Sequence, residues 1–135
     1  MSRGRFRSKL DGFNARKRTE VAGRSFMSNG EAECFVFLQA LESRGEIRDL
    51  ECQVTVRLTA AKKRWILDFK FFDVALGEPV WADYKGGMES DRWKWLLDLW
   101  PHYGPGRLRV YEGRGMRMRI KKEILALPSA KEVTP

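Results

Sequence analysis

The sequence predicts an α/β domain in which helices flank a mixed central sheet, in the element order α-β-β-β-α-β. Three observations predict it: a helical run at residues 29–44, three successive strand-like runs within residues 51–85, and a second helical run that leads into a short strand at residues 107–112. Alternation of helix and strand patterns of this kind is typical of layered α/β folds. The chain has 135 residues, of which 43% are hydrophobic, so we expect one domain with its own core.

The first helix is predicted from a start signal, a periodic apolar face and a stop signal. Ser28 precedes Glu31 by three residues, which is the spacing of a capping box at a helix start. Large apolar residues then recur at helical spacing: Phe35, Leu38 and Leu41. Gly45 ends the run, so the predicted helix covers residues 29–44. Glu31 lies on the apolar side of this helix, where a glutamate is seldom placed without a partner.

Three strands are predicted to form an antiparallel meander. Their apolar or aromatic side chains recur at strand spacing over residues 51–58, 64–73 and 80–85. Turn-forming sequences separate these runs at residues 60–63 and 77–79. The pair Gly86–Gly87 then ends the meander, and glycines there would let a phosphate backbone approach the strand end.

The remaining elements are predicted with fewer signals. We expect a helix from residue 90 or 91 that stops at Pro101, strands at residues 107–112 and 116–120, and a final helical turn within residues 121–127. The helix carries three tryptophans, Trp93, Trp95 and Trp100. Tryptophans at helical spacing more often pack in a core than stack on bases. Trp95 does not lie on the main apolar face of this helix.

Charge divides the chain into three parts. Residues 1–24 hold eight basic and two acidic residues, residues 31–100 hold ten and thirteen, and residues 107–123 hold seven and two. We expect residues 1–22 to be a flexible basic arm, residues 23–127 a single domain and residues 128–135 a tail. An acidic middle between basic ends is typical of a metal-binding centre flanked by surfaces for a polyanion, although basic tails can also be merely solvated.

Composition disfavours several classes of protein. No apolar run approaches the about 20 residues that a membrane span needs, and the Arg-rich start lacks the apolar core of a secretory signal. The single histidine disfavours a zinc site, and Cys34 and Cys52 lack the paired spacing of a metal knuckle or redox motif. We therefore expect a cytoplasmic protein with reduced thiols and no membrane partner.

The candidate chemistry lies in two acids and a lysine on neighbouring predicted strands. Asp68 interrupts the aromatic run Trp65–Phe69, where an unpaired carboxylate is costly to bury. Asp83 and Lys85 are two residues apart in a strand and therefore point to the same side. With Glu31 from the helix, these groups could hold Mg²⁺ and position a water molecule. Each residue also has a plainer interpretation: an ion-paired edge acid, an exposed strand face or a capping glutamate.

These residues resemble the pattern of the PD-(D/E)XK nuclease superfamily. More closely, the chain resembles a family of small phage and prophage proteins of unknown function that are thought to be such nucleases. The similarity runs from about Phe26 to Val110 and is carried by four segments: Phe26–Ala32, Gly45–Gln53, Ile66–Phe69 and Asp83–Gly86. Phage junction resolvases of the endonuclease I type look like more distant relatives. Leu67 stands where the superfamily usually has proline, and Asp83 is the shorter of the two acids allowed at its position.

The resemblance implies a restriction-endonuclease-like core and a structure-selective DNA endonuclease that uses Mg²⁺, with Mn²⁺ as a substitute. It implies Glu31, Asp68 and Asp83 as metal-binding acids and Lys85 as the catalytic lysine. Ser28 and Gln53 are candidate accessory residues. The implied substrate is branched or Holliday-junction DNA, cut during phage recombination, replication or packaging in the host cytoplasm. Symmetric junction cutting would favour a homodimer.

The expected contacts to DNA are mostly basic residues that would bind phosphates with little sequence specificity. They comprise Arg3, Arg5, Arg7, Arg16, Lys17, Arg18, Gly86, Arg92, Lys94, Arg114, Arg117 and Arg119.

Two other functions fit parts of the sequence. A non-catalytic DNA-binding accessory protein would keep the basic surfaces and use the acids structurally. An RNA-binding sheet of the RRM type would use the cluster Phe69, Phe71 and Phe72, but leaves the acids unexplained. Geometry separates these hypotheses, because only the nuclease requires the four candidate residues to converge on one exposed pocket.

Overall fold

The structure is a computed structural model that describes residues 19–21, 24–26, 28–59 and 64–128. Its elements in chain order are β1 (Thr19–Val21), β2 (Arg24–Phe26), α1 (Asn29–Ser43), β3 (Ile47–Arg57), β4 (Arg64–Asp73), β5 (Glu78–Tyr84), α2 (Asp91–Tyr103), β6 (Arg107–Glu112), a 3-10 turn (Gly115–Arg117) and β7 (Arg119–Ile124). The predicted α/β class with a mixed sheet is confirmed. The turn predicted at residues 60–63 and most of the predicted arm and tail lie outside the described residues.

Strands β3 to β7 form one five-stranded sheet in chain order. The pairs β3–β4, β4–β5 and β6–β7 are antiparallel, which confirms the predicted meander, and β5–β6 is parallel. The connection between the parallel strands is α2, as a crossover between parallel neighbours requires. Strands β1 and β2 form a separate antiparallel pair, which the sequence analysis did not predict.

Helix α1 begins and ends as its sequence predicts. Ser28 Oγ accepts a hydrogen bond from the backbone N–H of Glu31 at 3.0 Å. At the other end Gly45 has a φ of 79°, and the next N–H, of Glu46, returns to the carbonyl of Leu41 at 3.0 Å. A left-handed glycine of this kind closes a helix and satisfies its last carbonyls. The observed helix differs from the predicted one by a single residue.

The sheet separates two hydrophobic cores, one under each helix. Val80 and Ala82 of β5 belong to the core that α1 covers, whereas Trp81 between them belongs to the core that α2 covers. Because successive side chains of a strand alternate faces, Asp83 follows Trp81 on the α2 side and Tyr84 lies on the α1 side. Phe69 and Phe71 are buried in the first core, so the RRM-type surface that would use them is not available.

Helix α2 does not stop at Pro101 as predicted but continues to Tyr103. A proline in the last turn lacks one N–H, which costs a single intrahelical hydrogen bond. The N–H of Gly104 bonds to the carbonyl of Trp100 at 2.7 Å, and the indole Nε1 of Trp100 donates to Gly106 O at 2.7 Å. These bonds hold the end of the helix against the following strand.

The helical turn predicted within residues 121–127 is wrong, because β7 runs to Ile124. The strand predicted at residues 116–120 likewise begins only at Arg119, after the 3-10 turn. β7 is an edge strand with largely exposed side chains, so it lacks the apolar alternation that identifies a half-buried strand. Pairing with β6, which sequence periodicity does not report, decides its structure.

Candidate active site

The four candidate residues line one cleft of about 680 Å³ at the end of the sheet. Glu31 comes from the first turn of α1, Asp68 from β4, Asp83 from β5, and Lys85 from the residue after Tyr84 at the end of β5. The first turn of α2 forms another wall of the cleft. Both helices therefore begin at the cleft, where their N-terminal N–H groups favour negative charge.

The two aspartates lie where β4 and β5 stop pairing as a regular ladder. The last paired residues on this side are Phe69 and Ala82. Beyond them, Asp83 Oδ1 accepts the backbone N–H of Asp68 at 2.7 Å, and Asp68 Oδ2 accepts the backbone N–H of Tyr84 at 2.8 Å. The carboxylates thus take the place of the backbone carbonyls that would accept these N–H groups in a regular ladder. The two hydrogen bonds fix both side chains at the strand ends.

Burial dominates the electrostatics of these acids. The side chain of Asp83 is 7% exposed, and burial raises its pKa to about 7 even though hydrogen bonds from the Asp68 backbone and the Trp65 side chain oppose the change. Burial, followed by the charge of Asp83, raises the pKa of Asp68 well above its ordinary range. Ionised together, the acids concentrate negative charge that a cation in the cleft would offset.

The carboxylate of Glu31 lies in the cleft, while its backbone N–H serves the helix cap. Glu31 is 6% exposed, its Oε2 accepts a hydrogen bond from Gln53 Nε2 at 3.2 Å, and its side chain partly opposes the increase in the pKa of Asp68. A capping role alone therefore does not describe this residue. Of the two accessory candidates, Gln53 contacts Glu31 directly and Ser28 lines the cleft.

Gln53 has a φ of 57° and lies between Cys52 and Val54, which pair with Phe69 and Leu67 of β4. A non-glycine residue in this left-handed region costs about 1–3 kcal/mol. Asp49 has the same φ at a register shift between Arg48 and Glu51. The irregularity at Asp49 interrupts the alternation at the start of β3, which explains why the sequence predicted this strand only from residue 51.

The ammonium group of Lys85 does not contact the acids. Its Nζ donates to the carbonyl of Met88 at 2.8 Å and lies 5.9 Å from the ring centre of Trp93. The backbone N–H of Lys85 bonds to Tyr111 O at 2.9 Å, which continues the parallel pairing of β5 with β6. Lys85 therefore lines the cleft from a fixed backbone, with its side chain turned towards the loop that follows.

Tyr84 is a cleft residue that the sequence analysis did not identify. Its hydroxyl donates to Gly113 O at 2.7 Å, and its ring contacts Gly30 and Gly86. A Cβ on Gly86 would lie 2.8 Å from the ring, and one on Gly30 would overlap it. The glycine at the start of α1 and the glycine after the acid-x-Lys motif are the sequence signals for this close contact.

The expected DNA-binding residues fall into three sets. Those outside the described residues are Arg3, Arg5, Arg7, Arg16, Lys17 and Arg18. Those that line the cleft are Gly86, Arg92 and Arg114. Those described but not lining it are Lys94, Arg117 and Arg119.

The two cleft arginines differ in their protein contacts. The guanidinium of Arg92 lies 4.8 Å from the ring centre of Trp65, whereas Arg114 bonds to both oxygens of Glu33 at 3.0 and 2.7 Å. Arg92 therefore keeps its donors available for an anion, and Arg114 is partly neutralised.

The side chains of the cleft are of the kind that binds a hard cation, although they do not form a complete set of metal ligands. Its acids are carboxylates, the ligands that Mg²⁺ takes with water, and their pKa values are raised mainly by burial. Within the described ranges, however, no three His, Cys, Asp or Glu side chains are arranged as a ready ligand set. Mg²⁺ commonly binds through one or two carboxylates and several waters, so Asp68 and Asp83 fit as its ligands.

Within the described part of the chain, no helix is long and apolar enough to cross a membrane. Comparisons with protein families, with curated proteins and with solved structures find no match to this chain.

Proposed function

We propose that this protein is a Mg²⁺-dependent DNA endonuclease of the PD-(D/E)XK type, built on a restriction-endonuclease-like core. The observation that carries the proposal is the convergence of Glu31, Asp68, Asp83 and Lys85 on one open cleft. These residues come from three separate elements and lie up to 54 positions apart in the sequence. Burial of several acids in one place is costly, and such sites are often functional.

Each residue has a distinct part in this proposal. Asp68 and Asp83 would hold Mg²⁺, and Glu31 would bind it through water. The ion would supply a Lewis acid that promotes deprotonation of water and offsets charge on the phosphate. Lys85 would break its hydrogen bond to the carbonyl of Met88 and donate to the attacked phosphate. The negative charge on that phosphate increases as the water oxygen bonds to phosphorus and the ester P–O bond breaks. Arg92 and the start of α2 would hold the phosphate backbone.

The proposed substrate is branched DNA, such as a Holliday junction, in phage recombination, replication or packaging. Phosphate contacts alone give little sequence specificity, so the shape of the DNA would select the substrate. Symmetric cutting of a junction needs two active sites, and a homodimer therefore belongs to this proposal. A cytoplasmic location also belongs to it and agrees with the absence of a disulfide between the two cysteines, Cys34 and Cys52.

The test is cleavage of a panel of labelled DNAs, comprising supercoiled plasmid, four-way junction, flap and linear duplex, with Mg²⁺, Mn²⁺ or EDTA. We expect junction or flap DNA to be cut with either metal and not in EDTA. Asp83→Asn should lower the rate by about 100-fold or more, since it removes a charge from the metal site. Asp98→Asn, on the exposed part of α2, is the matched control and should cut like wild type. Wild-type rates in Asp83→Asn would refute the assignment.

A non-catalytic DNA-binding protein is the second candidate. The contact between Lys85 Nζ and Met88 O favours it, because this lysine is turned away from the acids. This candidate predicts DNA binding that EDTA does not alter and no cleavage with any metal. The same DNA panel therefore separates the two functions.

A further inference from the structure

A second groove, of about 370 Å³, adjoins the cleft. Its apolar surface comes from Leu58, Trp65, Trp95 and Leu99, and its basic groups from Arg64 and Arg92. Trp65 and Arg92 line the cleft as well as the groove. A molecule held in the groove would therefore lie beside the carboxylates of the cleft.

The groove exposes an indole that the fold does not bury. Trp95 is 59% exposed, whereas Trp93 and Trp100 on the same helix are 5% and 0% exposed. More than half of the surface of Trp95 is exposed beside the cleft, and its ring offers a large flat area for stacking. Trp95 is therefore well placed to contact a ligand.

Trp65 connects the groove to the acids of the cleft. The guanidinium of Arg92 lies 4.8 Å from its ring centre, and Trp65 lines the cleft together with Asp83. Arg64 and Arg92 outnumber the carboxylate of Asp91 around the groove. An occupant should therefore present flat aromatic surface and carry negative charge.

We propose that this groove binds unpaired nucleobases of the DNA strand that the cleft cuts. Bases stack on tryptophan rings and on guanidinium planes, and the attached phosphates would meet Arg64 and Arg92. Bases inside a duplex are covered by their neighbours, so only a single-stranded branch or an opened end can reach the groove. This inference rests on the proposed nuclease and predicts that, among branched DNAs, it prefers those with unpaired bases beside the scissile phosphate.

A protein partner fits the groove less well. Stable protein interfaces bury about 1,200–2,000 Å² in total, which needs a broad surface around a hot spot. The groove is instead small, lined by aromatic rings and two arginines, and continuous with the cleft through Trp65 and Arg92. These features match a strand of nucleic acid that passes from one site to the other.

The test measures binding without cleavage, by fluorescence anisotropy in EDTA. One labelled DNA is a duplex with a short single-stranded flap, and the other is a blunt duplex of the same length. The proteins are wild type, Trp95→Ala, Trp95→Phe and Tyr103→Ala. Tyr103 is the control because it is also an exposed aromatic residue of α2, at 46%, but does not line the groove.

We expect Trp95→Ala to weaken flap binding by about 5- to 100-fold, the range for loss of one stacking platform, and to leave blunt-duplex binding unchanged. Trp95→Phe should restore most of the affinity, and Tyr103→Ala should bind both DNAs like wild type. Equal affinities of wild type and Trp95→Ala for the flap, or equal losses on both DNAs, would overturn the inference. In that case cleavage of DNA with Mg²⁺ would still support the nuclease, whereas wild type that bound neither DNA would refute both proposals.

Discussion

Asp83 accepts a hydrogen bond from the backbone N–H of Asp68 at 2.7 Å, and Asp68 in turn accepts the N–H that follows Asp83 at 2.8 Å. Each carboxylate therefore accepts a backbone N–H group at the end of the neighbouring strand. These two hydrogen bonds hold the acids close together before any cation binds. When both acids are ionised, their mutual repulsion destabilises the folded state.

The stability of the metal-free protein should fall as pH rises from about 4 to about 7. The pKa of Asp83 is about 7 in the folded protein and 3.8 without the fold, so the folded state binds this proton more tightly. Its stabilising contribution is complete below the lower value and lost above the higher one. Asp68 acts in the same direction. Urea unfolding in EDTA across this pH range measures the effect.

Asp83→Asn should remove much of that pH dependence and raise the free energy of unfolding in EDTA at pH 8, on the order of 2 kcal/mol. The amide keeps an oxygen acceptor for the Asp68 N–H but carries no buried charge. Asp98→Asn should leave the pH profile unchanged. A steeper profile in Asp83→Asn than in wild type would contradict this account of the acids.

Magnesium should stabilise the wild-type protein and not Asp83→Asn. A ligand at about 100 times its Kd, bound only by the folded state, adds about 2.7 kcal/mol. Thermal unfolding of both proteins with increasing MgCl₂, at constant ionic strength, measures the difference. Equal shifts in the two proteins would show that the ion binds elsewhere.

Gln53→Gly should be more stable than Gln53→Ala by about 1 kcal/mol, because only glycine adopts the φ of 57° without strain. Both variants lose the hydrogen bond to Glu31, so the comparison isolates the backbone. Chemical denaturation of the two variants gives the difference. Greater stability of the alanine variant would mean that residue 53 has an ordinary strand conformation.

Gly30→Ala should destabilise the fold by about 1–3 kcal/mol, because the new methyl group would overlap the ring of Tyr84. Gly87→Ala is the matched control, since a Cβ there meets nothing within 4 Å. Thermal unfolding of the two variants tests the contact. Equal midpoints for both variants would show that the ring does not pack against the start of α1.

Local sequence signals predicted the bounds of α1, β4 and β6 closely. Each element has boundary residues and an apolar periodicity that agree with its tertiary contacts. The same signals indicated Glu31, Asp68, Asp83 and Lys85, which stand out as charges within apolar runs. The resemblance to the nuclease superfamily, in contrast, remains a prediction.

Contacts distant in sequence account for what the sequence did not predict. β7 takes its structure from pairing with β6, and the contact of Tyr84 with Gly30 joins residues 54 positions apart. The turn of Lys85 towards Met88 depends on a loop whose conformation no periodicity encodes. Each of these features follows from tertiary structure and not from local preference.

The most direct test of the central claim is a single-turnover cleavage assay on junction DNA with Mg²⁺, with DNA affinity measured in parallel in EDTA. The nuclease account predicts that Lys85→Ala binds the junction within about threefold of wild type, since one phosphate contact contributes modestly, and cuts it at least about 100-fold more slowly. Tight binding by wild type without cleavage, or wild-type cleavage by Lys85→Ala, would contradict it.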